Sequence, residues 1–175
     1  VTLPDHPEPL VGRHEADVVI LGGGLAGLAA AMELTRPGRR VAVLEAASIG
    51  AGASGADLGH VATGLSMPYT TARARFGRDD ARMLWEWHRE SHERLRAVLA
   101  DLGDDCGYRR NGGFVLARDR QEAMDLADSE DALRDDGFAG EFLDHYMLEA
   151  RFGVRGFAGA YWAADDGEVD AVALL

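Results

Sequence analysis

The chain has 175 residues, enough for one ordinary domain or one and a half small ones, and its 47% hydrophobic and 27% charged content is that of a globular fold. Its 18 basic and 30 acidic residues give a net charge of −12, which argues against nucleic acid or an anionic membrane surface as a partner, because both need basic patches. The single cysteine, Cys106, excludes an internal disulfide and fits a reducing compartment.

Residues 1–15 carry Pro4, Pro7 and Pro9 and are expected to form an extended arm, with His6 and His14 as solvated histidines rather than metal ligands. The arm lacks the basic and apolar regions of a signal peptide, so the cytoplasm is the expected location. The uncharged run from Val18 to Met32 is shorter than the roughly 18–20 residues a membrane span needs. The absence of an initiator Met suggests a trimmed or partial chain.

Ala16 to Glu45 is the organising stretch. Val18 to Leu21 predicts a buried strand that runs into Gly22-x-Gly24-x-x-Gly27. Leu25 to about Thr35 predicts a helix ended by Pro37-Gly38, and Val41 to Leu44 a second, parallel strand. Gly22 allows the sharp turn out of the strand. Gly24 admits a pyrophosphate to the backbone, and Gly27 lets helix and strand pack closely. The helix N-terminus offers free N–H groups and a positive dipole end to phosphate. Glu45, twenty-three residues after Gly22, is placed to accept hydrogen bonds from an adenosine ribose and to repel a 2′-phosphate. The competing reading is a strand-turn-helix with no ligand.

Ala46 to Gly64 (A-A-S-I-G-A-G-A-S-G-A-D-L-G-H-V-A-T-G) has little to put into a core and is suited to lie against a large flat ligand. Ser54 can add a hydroxyl donor to a pyrophosphate; a flexible linker is the alternative.

D-V-V-I-L-G-G-G-L-A-G-L-A-A-A followed by V-L-E-A-A-S-I-G-A-G-A-S-G resembles the FAD-dependent amine and amino-acid oxidases of the D-amino-acid-oxidase superfamily, most of all its glycine, sarcosine and γ-glutamylputrescine oxidase branch. The resemblance implies FAD as cofactor. Its expected contacts are Gly22, Gly24, Leu25, Ala26, Gly27, Glu45, Ala46, Gly52, Ala53, Ser54, Gly59 and His60. Family members often continue G-A-S-G-R-N-G-G-Q. Here Ala56, Asp57 and Leu58 replace the Arg, Asn and first Gly, and His60 stands where the segment approaches the flavin. For His60 a covalent flavin link, a general-base role, a polar neighbour of the ring and a satisfied histidine stay open. It is the weak catalytic candidate.

Further on, Tyr69 to Leu102 predicts helix, with an apolar stripe of Leu84, Trp87, Leu95, Val98 and Leu102, caps at Asp79 or Asp80, and Arg82/Glu86, Arg89/Glu93 and Glu90/Arg94 pairs. His88 and His92 stand four apart without a third ligand and read as solvated or core-edge residues, so no metal is expected. Cys106 reads as a buried small hydrophobe. Gly107 to Ala117 predicts a hairpin or strand turning at Asn111-Gly112, with Arg109 and Arg110 as surface charges. Asp119-x-x-Glu122 predicts a capping box for a helix to Gly137. Glu141 to Tyr146 and Gly156 to Trp162 predict strands, Leu148 to Gly153 a helical turn, and Asp170 the start of another helix.

The expected fold is α/β. A Rossmann-like FAD-binding part at 16–105 leads into the start of an α+β substrate domain at 106–170, with 171–175 returning to the FAD domain in a truncated chain. The resemblance implies oxidation of an amine or amino acid, with hydride passing from the carbon beside nitrogen to the flavin and hydrolysis of the imine. A second chain or a C-terminal remainder is expected to complete the site. The alternatives are another flavoprotein reductase or monooxygenase, and a noncatalytic nucleotide-binding fragment that needs a partner.

Overall fold

Asp17 sets the entry to the first strand pair. In the computed structural model, which describes residues 9–175, its carboxylate accepts the Arg40 N–H at 2.8 Å and meets the Arg40 guanidinium at 3.2 Å. The Arg40 carbonyl accepts the N–H groups of Asp17 and Val18 in return. The hydrogen bond from the Arg40 side chain, then that from its backbone, holds the Asp17 carboxyl below its ordinary range. So anchored, β1 (Val18–Leu21) and β2 (Val41–Leu44) run parallel, Val18 opposite Val41 and Leu21 opposite Leu44. The crossover is α1 (Leu25–Thr35). It is Ala-rich and ends where the Thr35 hydroxyl bonds back to the carbonyls of Ala31 and Met32.

The apolar run of β1 predicts burial throughout, and the structure corrects this. Val18 and Ile20 are half-buried, but Val19 and Leu21 are 54% and 81% exposed. Strands of a parallel sheet are fully buried only when both faces are covered. Among the described residues β1 pairs with β2 alone, and the alternation along it shows a cover on one face.

Contacts divide the chain into two compact units, one running to Gly59 and including Asp170–Leu175, the other His60–Val169. The expected boundary at 105/106 differs from this division, because the helices before it pack with the later elements. The described part of the N-terminal arm, residues 9–15, has no helix or strand, and the His14 Nε2 lies 2.9 Å from the Val11 carbonyl. His6, Pro4 and Pro7 lie outside the described residues.

The second unit begins with β3 (His60–Val61), followed by α2 (Tyr69–Phe76) and α3 (Arg78–Leu102). The sequence predicts one helical stretch here. Gly77, at φ +85°, breaks it in two, and its N–H closes α2 on the Arg73 carbonyl. Asp79 and Asp80 lie in the first turn of α3, where their charge suits the dipole, but neither side chain caps it. The buried stripe of α3 is also rotated from the expected one. Ala81, Trp85, His92 and Leu99 are buried, whereas Trp87 and Leu102 are more than half exposed. His88 and His92 thus belong to the inner face, and His92 is 1% exposed rather than solvated. Among the described residues, Arg82–Glu86 is the one of the three expected helix-surface pairs that forms an ion pair; Glu93 instead meets Arg96 and Arg110, and Arg89 lies over the Phe138 ring.

Beyond Cys106, which is buried, come β4 (Gly113–Ala117), α4 (Arg120–Asp135), β5 (Glu141–Asp144), α5 (His145–Phe152), β6 (Gly159–Ala163) and β7 (Gly167–Glu168). β4 and β5 flank β6 in an antiparallel sheet, and β3 pairs antiparallel with β7. Asp119 caps α4 by accepting the Glu122 N–H at 3.0 Å, while Glu122 reaches past it to the Arg118 N–H. Asp144 caps α5 through the Met147 N–H, which ends β5 two residues before the predicted Tyr146. At Asp170 the chain makes a single turn, Leu174 N–H to Asp170 carbonyl, rather than a helix.

The core joins Tyr69, Ala72, Ala81 and Trp85 to Ala132, Leu133 and Phe138, with Tyr69 edge-on to Trp85 at 4.8 Å. Asp136 closes this core. Its side chain is 1% exposed, accepts the Tyr69 hydroxyl at 2.7 Å and meets Arg78 Nε at 2.8 Å. Burial pushes the Asp136 carboxyl up, but Arg78 and Tyr69 outweigh it and hold it below the ordinary range. Burial, and then Asp136, pushes the Tyr69 phenol well up. Replacing Asp136 with Ala leaves a buried hydroxyl without its acceptor and is expected to cost about 1–3 kcal/mol in urea denaturation. Because the folded carboxyl is depressed, its contribution is present above the unfolded value of about 4 and is lost as pH falls through the folded one. The stability gap between wild type and Asp136→Ala should therefore narrow below about pH 4.

Candidate functional site

The glycine turn between β1 and α1 is set by close approaches that side chains would forbid. Gly22 sits at φ +104° and donates its N–H to the Leu44 carbonyl at 2.8 Å, which ties the turn to the end of β2. A Cβ on Gly27 would collide with the Gly22 carbonyl oxygen, so α1 reaches the strand end only because Gly27 has none. A Cβ on Gly24 would lie 3.0 Å from the Ser54 hydroxyl. Gly23, which the motif leaves free, is buried, and a Cβ there would press on the Ile49 δ-methyl group. Sequence reasoning missed this position, although the run of three glycines marked it.

Two side chains meet the turn. Glu45 Oε2 accepts the Gly23 N–H at 2.6 Å, and Oε1 accepts the Ala47 N–H at 2.9 Å. The Gly23 hydrogen bond, then that of Ala47, holds the Glu45 carboxyl below the ordinary glutamate range, so it is charged at neutral pH. Each oxygen keeps a lone pair for a further donor such as a ribose hydroxyl. Ser54 Oγ accepts the Leu25 N–H at 3.0 Å and caps α1 from a distant loop. Its own O–H stays able to donate. The N–H groups of Ala26 and Gly27 have no intrahelical acceptor by position, and no acidic residue stands in the first turn of α1 to compete with an anion.

The glycine-rich segment after β2 is structured rather than a linker. Ala53–Ala56 forms a 3-10 turn. Gly50 donates to the Gly23 carbonyl at 3.1 Å and accepts from the Gly55 N–H at 3.0 Å, which brings Gly52, Ala53 and Ser54 beside the first glycine turn. Gly59, at φ +78°, is buried and donates its N–H to the Asp57 carboxylate at 2.6 Å. Gly22, Gly24, Leu25, Ala26, Gly27, Glu45, Ala46, Gly52, Ala53 and Ser54 thus come together within the first unit, with Gly59 at its edge. His60 opens the second unit in β3, where its Nε2 lies 3.3 Å from Asp166 Oδ2. No local pattern marks this contact, whose partners stand more than a hundred residues apart.

The helix end with N–H groups left over, the charged Glu45 carboxylate and the turn without Cβ atoms fit a dinucleotide in their chemistry. Among the described residues no helix is long and apolar enough to cross a membrane.

Comparison with known proteins bears on which dinucleotide. γ-Glutamylputrescine oxidoreductase of Escherichia coli is 34% identical over 148 residues, 74% of this chain and 35% of that protein. Glycine oxidase of Geobacillus kaustophilus is 29% identical over 161 residues, 90% of this chain and 41% of that protein. The crystal structure of that glycine oxidase superposes with a TM-score of 0.69 over 93% of this chain and 42% of its own. L-Amino acid deaminase from Proteus vulgaris shares the fold at a TM-score of 0.70 and 20% identity, over 97% of this chain and 44% of its own. The chain spans about two fifths of the length of the relatives it matches. The family pattern described as "DAO: FAD dependent oxidoreductase" matches residues 17–175, from the lead-in to β1 through both units, and the chain belongs to that family of FAD-dependent oxidoreductases.

Proposed function

We propose that this chain supplies the ADP-binding half of the FAD site in an enzyme that oxidises an amine or amino acid. The observation that carries the reading is the joint placement of Glu45 and Ser54 on the Gly22–Gly27 turn. In the proposed complex the pyrophosphate lies on the Leu25–Gly27 end of α1, with the Ser54 hydroxyl donating to it. Glu45 receives the ribose hydroxyls, and its charge excludes a 2′-phosphate. Gly52 and Ala53 lie along the pyrophosphate, and Gly59 and His60 continue toward the flavin ring. FAD held by these residues would supply the redox chemistry, as acceptor of a hydride from the carbon beside the substrate nitrogen. The protein's part is to hold and orient cofactor and substrate. The names of the glycine and γ-glutamylputrescine enzymes support a small primary or secondary amine as substrate.

The direct test is the visible absorption spectrum of the full-length protein before and after acid precipitation. Yellow flavin bands are expected. Colour that stays with the precipitate indicates a covalent link, with His60 the first residue to replace; colour in the supernatant indicates noncovalent FAD. Absence of flavin even after FAD is added overturns the reading. A flavin that no amine or amino acid bleaches under anaerobic conditions overturns the proposed reaction.

Two further outcomes follow from the geometry. Gly27→Ala forces a Cβ against the Gly22 carbonyl, and such overpacking costs about 1–3 kcal/mol, a weakening of FAD binding on the order of 10- to 100-fold. Quenching of flavin fluorescence during titration of the apoprotein measures it. The Glu45 carboxyl is depressed, so its hold on the turn is complete above the ordinary glutamate range and is lost as pH falls through the depressed value. The FAD dissociation constants of wild type and Glu45→Gln should differ at neutral pH and converge below about pH 4.

A further inference from the structure

The loop that follows β3 is held by side chains rather than by a strand. The β3–β7 ladder ends with Val61 opposite Gly167, and so short a ladder does not set the course of the chain beyond it. The Thr63 N–H goes to Asp166 Oδ1 at 2.7 Å, and the Gly64 N–H to His88 Nδ1 at 2.9 Å. Two successive backbone donors are thus taken up by side chains 103 and 24 residues further along the chain. The His88 bond has one possible sense. A backbone N–H only donates, so Nδ1 is the acceptor, and the neutral ring carries its proton on Nε2.

His88 is one of three residues on the inner face of α3 that meet this loop. One turn before it, Trp85 lies against Gly64, which sits at φ +109° and where a Cβ would collide with the indole ring. One turn after it, His92 Nε2 lies 3.3 Å from Thr63 Oγ1. Trp85 is itself set in the core, edge-on to Tyr69, and Leu65 packs against the same core. The loop therefore rests on a packed base that does not yield easily. Packing alone does not call for histidine at position 88. An apolar side chain would cover the core as well, but it would leave the Gly64 N–H without its acceptor.

We propose that His88 is a positioning residue. By holding Gly64 it fixes the loop after β3, and through the loop it fixes the backbone of β3, which begins with His60. The proposal rests on the reading that Gly59 and His60 continue toward the flavin ring. It adds to that reading a residue of α3 whose part is to accept one backbone hydrogen bond rather than to touch cofactor or substrate.

The experiment uses the intact full-length flavoprotein. With 15N-labelled glycine and histidine, the bond should appear as a nitrogen–nitrogen coupling between the Gly64 amide and His88 Nδ1, with the His88 proton on Nε2. No coupling, or a His88 proton on Nδ1, overturns the proposal, and this reading needs no substitution. His88→Asn and His88→Leu then separate the acceptor from the packing. The Asn carboxamide oxygen stands where Nδ1 does and can accept the same N–H, whereas Leu fills space without an acceptor. Exchange of the Gly64 amide should speed up on the order of tenfold or more in His88→Leu and stay near wild type in His88→Asn. Visible circular dichroism of the bound flavin should follow the same order, altered by Leu and kept by Asn. Equal changes in both variants show that the ring acts by its packing and overturn the proposal. A flavin signal that His88→Leu leaves unmoved overturns it as well. If His88→Leu does not fold, His88→Phe, which keeps a ring and removes the lone pair, takes its place. A colourless wild type that takes up no FAD overturns the underlying reading and the proposal with it, and is told apart from the other failures because the Gly64–His88 coupling is still present.

Discussion

The approach of α1 to the end of β1 is the constraint on which the first unit depends. The missing Cβ of Gly27 lets the helix start against the Gly22 carbonyl. The turn between them must then place its N–H groups without regular pairing. One goes to the Leu44 carbonyl, one to Glu45, one to Ser54, and those left over lie at the positive end of the helix. Glu45 and Ser54 are drawn to the turn by N–H groups that need acceptors, and those same two side chains are the ones suited to a ribose and a phosphate. Binding geometry and turn stability therefore have a common cause. A Cβ at Gly27 would disturb both, because it displaces the helix end that all these bonds address.

How far this was legible in the sequence follows from which requirements are local. β1, β2, α1 and the glycine turn between them match the sequence reading residue by residue, since a positive φ and forbidden Cβ positions leave glycine almost no substitute. The caps of α4 and α5 rest on Asp119 and Asp144, but only the first was recognised, because a capping pattern stood out there and the second was hidden inside an apolar run. The burial of β1 was misjudged for a non-local reason. An all-apolar strand states what it can tolerate on both faces, not what covers them. On α3 the stripe was misphased because Leu and Trp were weighted above His. The inner positions include His88, which accepts the Gly64 N–H, and His92, which meets the Thr63 hydroxyl. A polar residue that finds its partner across the fold is indistinguishable, in sequence, from one that faces water.

The two nearly buried aspartates show how the same residue type is put to different ends. A buried carboxylate must recover the solvation it loses. Asp136 does so fully with the Arg78 guanidinium, Arg73 at 3.9 Å and the Tyr69 hydroxyl. With permanent cations and a phenol around it, it has no reason to respond to anything in the site and works as a brace in the core. Asp166 has a backbone N–H and a histidine, and that histidine is a cation only when protonated.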